Sequence, residues 1–279
     1  TTGAGNTAVG QSSLIANTTG TQNVGLGAYT LDANTTGAQN TALGYNALGG
    51  NTTAGQNTAV GAYALDAVNT GEYNTAMGRQ SLSENTSGSY NVGLGAYSLQ
   101  LNTTGGHNTA VGGNAMFNNT SGDFNVAVGH EALRQNGSGD RNTGIGRYAL
   151  YSNQTASDNT AVGYNAAQQI TTGQSNTCIG SFAGDGITTA DYNTAVGNHA
   201  AGNTTTGASN TAMGQGSLFY NSSGNTNTAL GRDALHFNQT ADNNTAVGFS
   251  AMKANTTGTQ NVSVGNFALD ANTTANENT

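Results

Sequence analysis

The feature that most constrains this chain is a tandem repeat of seventeen residues that runs along its whole length. Sixteen full units occupy residues 1–17, 18–34 and so on to 256–272, and the start of another unit follows at 273–279. No insertion or deletion interrupts the period. Repeats of this kind build a fold by stacking each unit on its neighbours. We therefore expect residues 1–279 to form a single repeat array.

Several positions of the unit, which we number as columns 1 to 17, are nearly invariant within the consensus TTGxxNTAVGxxALxxN. Column 6 is always Asn, column 10 is always Gly, and column 9 is always Val, Leu, Ile or Met. Stacked amides can hydrogen-bond along a ladder of identical residues. We expect column 6 to form such a ladder, whose first eight members are Asn6, Asn23, Asn40, Asn57, Asn74, Asn91, Asn108 and Asn125.

The composition of the unit predicts an all-β fold. Gly, Asn and Thr are poor helix formers, and the chain lacks proline, which would remove a donor from a ladder of strands. The segment Asn-Thr-Ala-Val-Gly has the character of a strand, and we expect a second short strand at columns 12 to 14. We also expect tight corners at Gly of column 10 and at Gly or Ala of column 3, where the backbone needs a positive φ or a close approach. The unit thus predicts a parallel β-solenoid with one coil per seventeen residues.

The strand pattern suggests how the coils are buried. Alternation places columns 7 and 9 on one face and column 8 on the other. We expect the leucines of column 14 to pack against column 9. Column 8 is always Ala, Gly, Ser or Cys, so we expect it to form a flat wall that another surface covers. Because each coil offers so few large apolar side chains, we infer a homo-oligomer, a trimer of parallel rods.

The recurring core of the unit also resembles a known family. The stretches NTAVGAYAL at 57–65 and NTGIGRYAL at 142–150 resemble the head repeats of trimeric autotransporter adhesins of the YadA type. They are also similar to repeats of bacteriophage tail-fibre proteins that end in a self-cleaving chaperone domain. Both resemblances imply a left-handed parallel β-roll in a homotrimer that works outside a cell as an attachment rod. The units here are longer than those of the adhesins, with the extra residues in the Asn-Thr-Thr-Gly turn.

Composition bears on partners and location. Only 7% of residues are charged, the net charge is −8, and six basic residues are scattered along the chain. This balance argues against a nucleic-acid partner and fits an extracellular location, at a cell surface or on a virion. No apolar run is long enough to insert into a membrane. Neither end carries an atypical capping unit, so we expect the chain to be a segment of something longer.

Candidate chemical groups are sparse. The four histidines fall in different columns, so we expect them neither to stack nor to cluster, and to bind no metal. Aspartates recur in columns 4 and 15 but rarely in adjacent coils. Cys178 occupies the small column 8, which indicates a compact core residue. We predict no enzymatic activity, no cofactor and no metal. The four histidines are His107, His130, His199 and His236.

Column 12 carries the best candidates for a binding surface. Tyr29, Tyr63, Tyr97 and Tyr148 occupy it within similar segments. An aromatic row could stack on sugar rings or pack against a neighbouring protomer, and the sequence leaves both possibilities open. Asn at column 17 forms N-glycosylation sequons such as Asn17-Thr18-Thr19 and Asn102-Thr103-Thr104. Turn formation by Asn is the preferred interpretation of that column.

One stretch departs from the pattern. In units ten to twelve column 14 shrinks to Ala167, Gly184 and Ala201, while column 17 becomes Ile170, Ile187 and Thr204. We expect a rearranged corner at about 164–204, in which both isoleucines turn inward and fill the space that leucine leaves.

Three functions are compatible with these patterns. The leading one is a structural and adhesive shaft in a phage tail fibre or bacterial adhesin, with a host-surface glycan or protein as its receptor. The alternatives are an ice-binding solenoid, because ladders of Thr in columns 1 and 2 can order water, and a carbohydrate-binding solenoid like those of tailspikes.

Overall fold

The computed structural model describes residues 2–68 and 70–279. The chain divides into two compact units of many repeats each. We call residues 1–140 the first unit and residues 141–279 the second unit, and the two have the same construction. Each repeat makes one coil with a three-residue strand at columns 7 to 9, and consecutive strands pair in parallel. Each unit is therefore a parallel β-solenoid with coils of seventeen residues, as the repeat predicts.

The strands keep one register within each unit. Thr7 pairs with Val24 in the first unit, and Thr160 pairs with Thr177 in the second, so equivalent residues lie next to one another. The first unit contains β1 Thr7–Val9, β2 Val24–Leu26, β3 Thr41–Leu43, β4 Thr58–Val60, β5 Thr75–Met77, β6 Val92–Leu94, β7 Thr109–Val111 and β8 Val126–Val128. The second unit contains β9 Thr143–Ile145, β10 Thr160–Val162, β11 Thr177–Ile179, β12 Thr194–Val196, β13 Thr211–Met213, β14 Thr228–Leu230, β15 Thr245–Val247 and β16 Val262–Val264.

The asparagines of column 6 tie neighbouring coils together. The backbone N–H of Asn40 donates to Oδ1 of Asn23 at 2.9 Å. Nδ2 of Asn40 donates to the carbonyl of Ala54 at 2.9 Å. Both bonds are buried, and the same pair of bonds recurs in the second unit, for example around Asn210. The ladder therefore joins coils mainly through side chain to backbone bonds, which require both the donor and the acceptor of an amide.

A second amide ladder lies at column 17, where the sequence suggested only turn formation. Nδ2 of Asn51 donates to Oδ1 of Asn34 at 2.8 Å. The amide of Asn34 also donates to the carbonyl of Gly37, three residues later, at 3.0 Å. The side chain of Asn102 in its sequon is fully buried, so this amide is not accessible to a glycosylating enzyme in the folded chain.

The predicted second strand at columns 12 to 14 does not form. Residues in columns 12 and 14 have positive φ angles, such as 59° at Tyr29 and 50° at Leu31, whereas an extended strand needs negative φ throughout. Their N–H groups still bond between coils, from Tyr29 to the carbonyl of Gln11 at 2.8 Å and from Leu31 to that of Ala47 at 3.2 Å. This half of the coil is a hydrogen-bonded turn, and each coil has one strand.

The strand also faces the opposite way from the prediction. Column 8 points into the coil, where Ala42 and Ala59 are fully buried, and columns 7 and 9 point outward. The interior is narrow: a Cβ on Gly93 would lie 2.5 Å from Oγ of Ser81 and 3.4 Å from Cδ1 of Leu82. Space inside the coil therefore sets the small size of column 8, and the leucines of column 14 pack against column 8 and not against column 9.

The glycine corners are confirmed at column 10. Gly61 has a φ of 133°, and a Cβ there would lie 2.6 Å from the carbonyl oxygen of Gly78, so conformation and space both require glycine. Column 3 differs, because Gly37 does not have a left-handed φ. Ala54 occupies the same column with its side chain buried, so column 3 is a close approach and not a left-handed corner.

The irregular stretch confirms one prediction and corrects another. Ile170 and Ile187 are fully buried, and a Cβ on Gly184 would lie 2.9 Å from Cδ1 of Ile187, so this isoleucine occupies the space left by the missing leucine. The backbone is not rearranged, however. Ala167 and Gly184 have φ angles of 50° and 58°, close to those of the leucines of column 14. The isoleucines reach the interior without a rearrangement, because column 17 points inward in the regular coils as well.

Candidate functional site

The outward side chains of columns 7 and 9 form what we call the apolar wall, in which column 9 is always Val, Leu, Ile or Met and column 7 is Thr or Val. In the first unit Leu26, Leu43 and Met77 are 46%, 42% and 46% exposed, and in the second unit Ile179 and Met213 are 41% and 45% exposed. No charged residue occupies either column. Neighbouring rows are one strand spacing apart, about 4.8 Å. Contiguous apolar surfaces of this kind on soluble proteins mark interaction sites.

Of the candidate tyrosines of column 12, Tyr63 is exposed and the other three are half-buried, and Tyr29 and Tyr63 do not stack on one another. Tyr45, from column 11 of the coil between, separates Tyr29 and Tyr63, with ring centroids 5.7 and 5.3 Å apart and edge-on geometry. The guanidinium of Arg79 lies 5.6 Å from the ring centroid of Tyr97. Columns 11 and 12 of the first unit thus form a mixed aromatic and cationic edge.

Tyr148, in the second unit, has a local cluster of its own. The guanidinium carbon of Arg147 lies 4.6 Å from the centroid of its ring, and Nη2 of Arg147 donates to the Tyr148 hydroxyl at 3.0 Å. Tyr151 makes an edge contact with the same ring at 5.5 Å. The ring of Tyr148 is therefore held by neighbours on its own chain.

An exposed stack of rings at column 5 was not predicted. Tyr73, Tyr90, His107 and Phe124 follow one another in consecutive coils with centroids 4.7 to 4.9 Å apart and nearly parallel planes. The ring faces cover each other, so the stack presents ring edges to solvent. Sugar rings stack on aromatic faces, which makes this surface a poor sugar site, and the stack instead strengthens contacts between coils.

Three histidines stack on rings of Tyr or Phe, contacts that the sequence did not predict. His107 lies within the column 5 stack. His199 stacks on Phe182 with a centroid distance of 4.8 Å, and His236 stacks on Phe219 at 5.4 Å. Within the described residues no group of three His, Cys, Asp or Glu side chains is placed to hold a metal ion.

A cleft of about 220 Å³ lies in the second unit, where column 12 is occupied by Gly216. Gly216 has a φ of 64°. We call this the Gly216 cleft. Its walls are ring and polar side chains from three consecutive coils: His199, Gln215, Phe219, Asp233 and His236.

One carboxylate and two basic side chains lie around the Gly216 cleft. The carboxylate of Asp233 lies 3.6 Å from Nε of Arg232 and 3.6 Å from Nζ of Lys253. Nδ1 of His236 lies 3.7 Å from the same carboxylate and 2.8 Å from the carbonyl oxygen of Gly216. Because a carbonyl only accepts, Nδ1 carries a proton, and in the neutral ring Nε2 is the acceptor.

Other polar side chains form hydrogen bonds to the backbone of neighbouring coils. Oδ1 of Asp123 accepts the N–H of Gly106 at 2.7 Å, and Oδ1 of Asp191 accepts that of Gln174 at 2.6 Å, so the aspartates of column 4 extend the hydrogen bonding between coils. The hydroxyl of Thr18 in column 1 donates to the carbonyl of Thr35 at 2.9 Å. Column 1 hydroxyls bonded in this way are engaged with the backbone.

Cys178 is fully buried in column 8, as predicted for a compact core residue. Burial raises the pKa of its thiol from 9.0 to about 12, and the negative charge of Asp185 acts in the same direction. A thiol that stays protonated is a poor nucleophile. Cys178 therefore fills space inside its coil.

Three features of the structure were not predicted, and they differ in how readily the sequence could have indicated them. The column 5 stack is apparent once consecutive residues of that column are read together. The Gly216 cleft depends on the absence of a side chain and on the direction of neighbouring rings, which no column shows. The apolar wall was hidden because a strand pattern does not tell which of its two faces is inside.

None of the described residues forms a helix that could cross a membrane. No protein-family model, no curated protein and no solved structure matches this chain.

Proposed function

We propose that this chain is a rigid shaft segment of an extracellular attachment fibre, and that three copies associate through the apolar wall. The observation that carries the proposal is the wall itself, because its outward apolar side chains recur in coil after coil without a charge. In this proposal each copy is a left-handed β-roll, as the resemblance to adhesin heads and tail fibres implies, and the fibre works at a cell surface or on a virion.

A second copy of the same chain is the partner that fits the wall best. The apolar rows repeat with the period of the coil, so a partner matches many rows only if its own rows have the same spacing. Another copy meets this condition automatically, and a parallel arrangement brings identical rows together. Burying a few hundred Å² of apolar surface in each unit contributes substantial free energy. Assembly would supply the burial that the narrow interior of the coil lacks.

The remaining surface suits a spacer. The buried amide ladders join neighbouring coils at column 6 and, where column 17 is Asn, at column 17 as well, and small side chains fill the coil between them. These bonds support the proposal of a rigid segment, because they link neighbouring coils without requiring a large core. Charged residues are few and dispersed, so we propose that attachment depends on a local receptor site for a glycan or protein and not on a general electrostatic surface.

Sedimentation equilibrium tests the proposed association of three copies through the apolar wall. We expect the chain to have three times its monomer mass, and Leu43→Lys or Met77→Lys to lower that mass because each puts a charge on the wall. These side chains point outward, so the circular dichroism of the variants is expected to match the parent chain. Thr36→Lys, at an exposed site in column 2, serves as the control and leaves the mass unchanged. A monomeric parent chain contradicts the proposal.

A further inference from the structure

The Gly216 cleft interrupts a row of side chains in the second unit. Column 12 carries Phe182 and His199 in the two preceding coils and Asp233 in the following one. Phe182 covers one face of the His199 ring, with planes only 2° apart. Glycine provides no side chain to cover the opposite face. A flat ring inserted at this level would continue the stack.

The cleft is shaped by side chains that lean into this gap. A Cβ added to Gly216 would lie 2.8 Å from Oδ1 of Asp233 and 3.3 Å from Nδ1 of His236. Phe219 meets His199 edge-on at 5.8 Å and stacks on His236 at 5.4 Å. Ring faces and edges therefore form the apolar part of the cleft, and a carboxylate and an imidazole form its polar part.

The volume limits the ligand to a small ring. About 220 Å³ is below the range of roughly 300–1,000 Å³ that is typical for drug-sized ligands. The cleft is open on one side, so a ring that enters it can remain attached to a larger molecule. An exposed pair of stacked rings, Tyr220 and Phe237 at 5.5 Å, adjoins the cleft through contacts with Phe219 and His236.

The charged groups around the cleft narrow the chemical class of its ligand further. A purely apolar ring would desolvate the carboxylate of Asp233 without giving it a hydrogen bond, which is costly. A phosphate or other anion would face that carboxylate. A cation would compete with Arg232 and Lys253, which already lie 3.6 Å from Asp233. A neutral ring with hydroxyl groups avoids all three costs, because its hydroxyls donate to Asp233 and to Nε2 of His236 while its C–H face packs on His199.

We propose that the Gly216 cleft binds a neutral pyranose unit of a glycan. The site gives the attachment role proposed above a ligand class and rests on that role for its biological setting. The cleft itself is complete within one chain, so binding does not require the trimer. In this proposal Asp233, Gln215 and His236 orient the sugar hydroxyls, and His199 and Phe219 contact the ring.

Binding of the chain to an array of immobilised glycans tests the site. We expect retention on glycans that end in glucose, galactose or mannose. Gly216→Asn fills the gap with a residue that column 12 already accepts at a similar φ, as at Asn165 with 55°. Its Cβ displaces only side-chain ends, those of Asp233 and His236, so its fold is expected to be intact. Both Gly216→Asn and His199→Ala are expected to weaken affinity roughly tenfold or more, which corresponds to one lost stacking or hydrogen-bonding contact. Tyr192→Ala removes an exposed ring of column 5 in the same unit and is expected to leave binding unchanged.

Four results would overturn the proposal. The first is retention on no neutral glycan, and the second is preference for sialylated or sulfated glycans. The third is equal binding by the parent chain and both cleft variants. The fourth is loss of binding only in Tyr63→Ala and Tyr97→Ala, which would place the sugar on the first unit. Measuring the mass of each sample in parallel separates failure of the cleft proposal from failure of the shaft proposal. A monomer that binds sugar refutes only the trimer. A trimer that binds no sugar refutes only the cleft site.

Discussion

Nδ2 of Asn102 donates a hydrogen bond to Oδ1 of Asn85, one coil away, at a distance of 2.8 Å. Both side chains are fully buried. At column 17 the amide of one coil donates to the amide of the coil before it, so an amide neighbour is needed to complete the bond, which explains why Asn is so common there. At column 6 the amide accepts from a backbone N–H of one neighbouring coil and donates to a backbone carbonyl, and this double requirement explains why Asn is invariant there. The cost of replacing a single Asn in either column is therefore predictable.

Asn57→Ala is expected to lower the free energy of unfolding by about 2–4 kcal/mol, because it leaves two buried backbone groups without partners. Oδ1 of Asn57 accepts the N–H of Asn74 at 2.9 Å, and Nδ2 donates to the carbonyl of Gly71 at 2.9 Å. Denaturant unfolding followed by circular dichroism measures the change. Gln56→Ala, at the exposed neighbouring residue, is expected to have little effect. Equal midpoints for the two variants would show that the ladder contributes nothing.

Val68→Asn is expected to stabilise the first unit by about 1 kcal/mol, because new hydrogen bonds outweigh the lost burial of valine. Val68 interrupts the column 17 ladder, and Oδ1 of Asn51, one coil before it, has no hydrogen-bond partner among the described residues. An amide at residue 68 would supply a donor to Asn51 and lie beside Asn85. Thermal unfolding measures the shift in melting temperature.

Ile187→Asn is the matched control for that prediction. The neighbours of Ile187 in column 17 are Ile170 and Thr204, and all three side chains are buried. An amide there would face an apolar side chain and lower the melting temperature. If Val68→Asn and Ile187→Asn lower the melting temperature equally, completing the column 17 ladder does not stabilise the chain.

Gly93→Ala is expected to destabilise the first unit by about 1–3 kcal/mol, the usual cost of overpacking. Its Cβ would lie 2.5 Å from Oγ of Ser81 and 3.0 Å from Oγ of Ser98. Alanine at both serines restores the combination found in most coils, so the triple variant is expected to recover most of the loss. Chemical denaturation of the single, double and triple variants gives the coupling energy. Additive effects would mean that the hydroxyls do not set the size of residue 93.

Cys178 makes stability depend on pH above 9. The unfolded thiol loses its proton near pH 9.0, whereas burial keeps the folded thiol protonated up to about pH 12. The contribution is therefore fully present below pH 9 and falls as pH rises toward 12, by up to about 1.4 kcal/mol per pH unit. Comparing the parent chain with Cys178→Ala isolates this slope from the titration of tyrosine and lysine. Parallel stability curves for the two chains would contradict the burial of the thiol.

Much of the fold was predictable because the repeat samples each environment many times. The strand at columns 7 to 9, the coil length and the column 6 ladder all follow from invariant columns. The left-handed conformation of Leu31 did not follow, because leucine disfavours positive φ and adopts it here with its side chain fully buried. Local preference therefore suggested a second strand where the packed coil has a turn.

The candidate sites were harder to predict than the coil. Small residues at column 8 fit an outer wall as well as a narrow interior, and only the position of Ser81 beside Gly93 decides between them. The sequence indicated Tyr29 and Tyr63 as exposed aromatic residues but not that Tyr45 lies between them. The Gly216 cleft depends on the orientation of His199 and Asp233, which the repeat does not specify.

Disulfide formation by a cysteine placed on the apolar wall tests the central claim most directly. In a Cys178→Ala background, Leu43→Cys puts a thiol on the wall, and Thr36→Cys puts one at an exposed site in column 2. If parallel copies meet at the wall, identical residues lie close together, so mild oxidation is expected to convert Leu43→Cys to covalent dimers within the trimer and to leave Thr36→Cys monomeric on a denaturing gel. Covalent dimers that form equally from both variants, or from Thr36→Cys alone, would contradict association through columns 7 and 9.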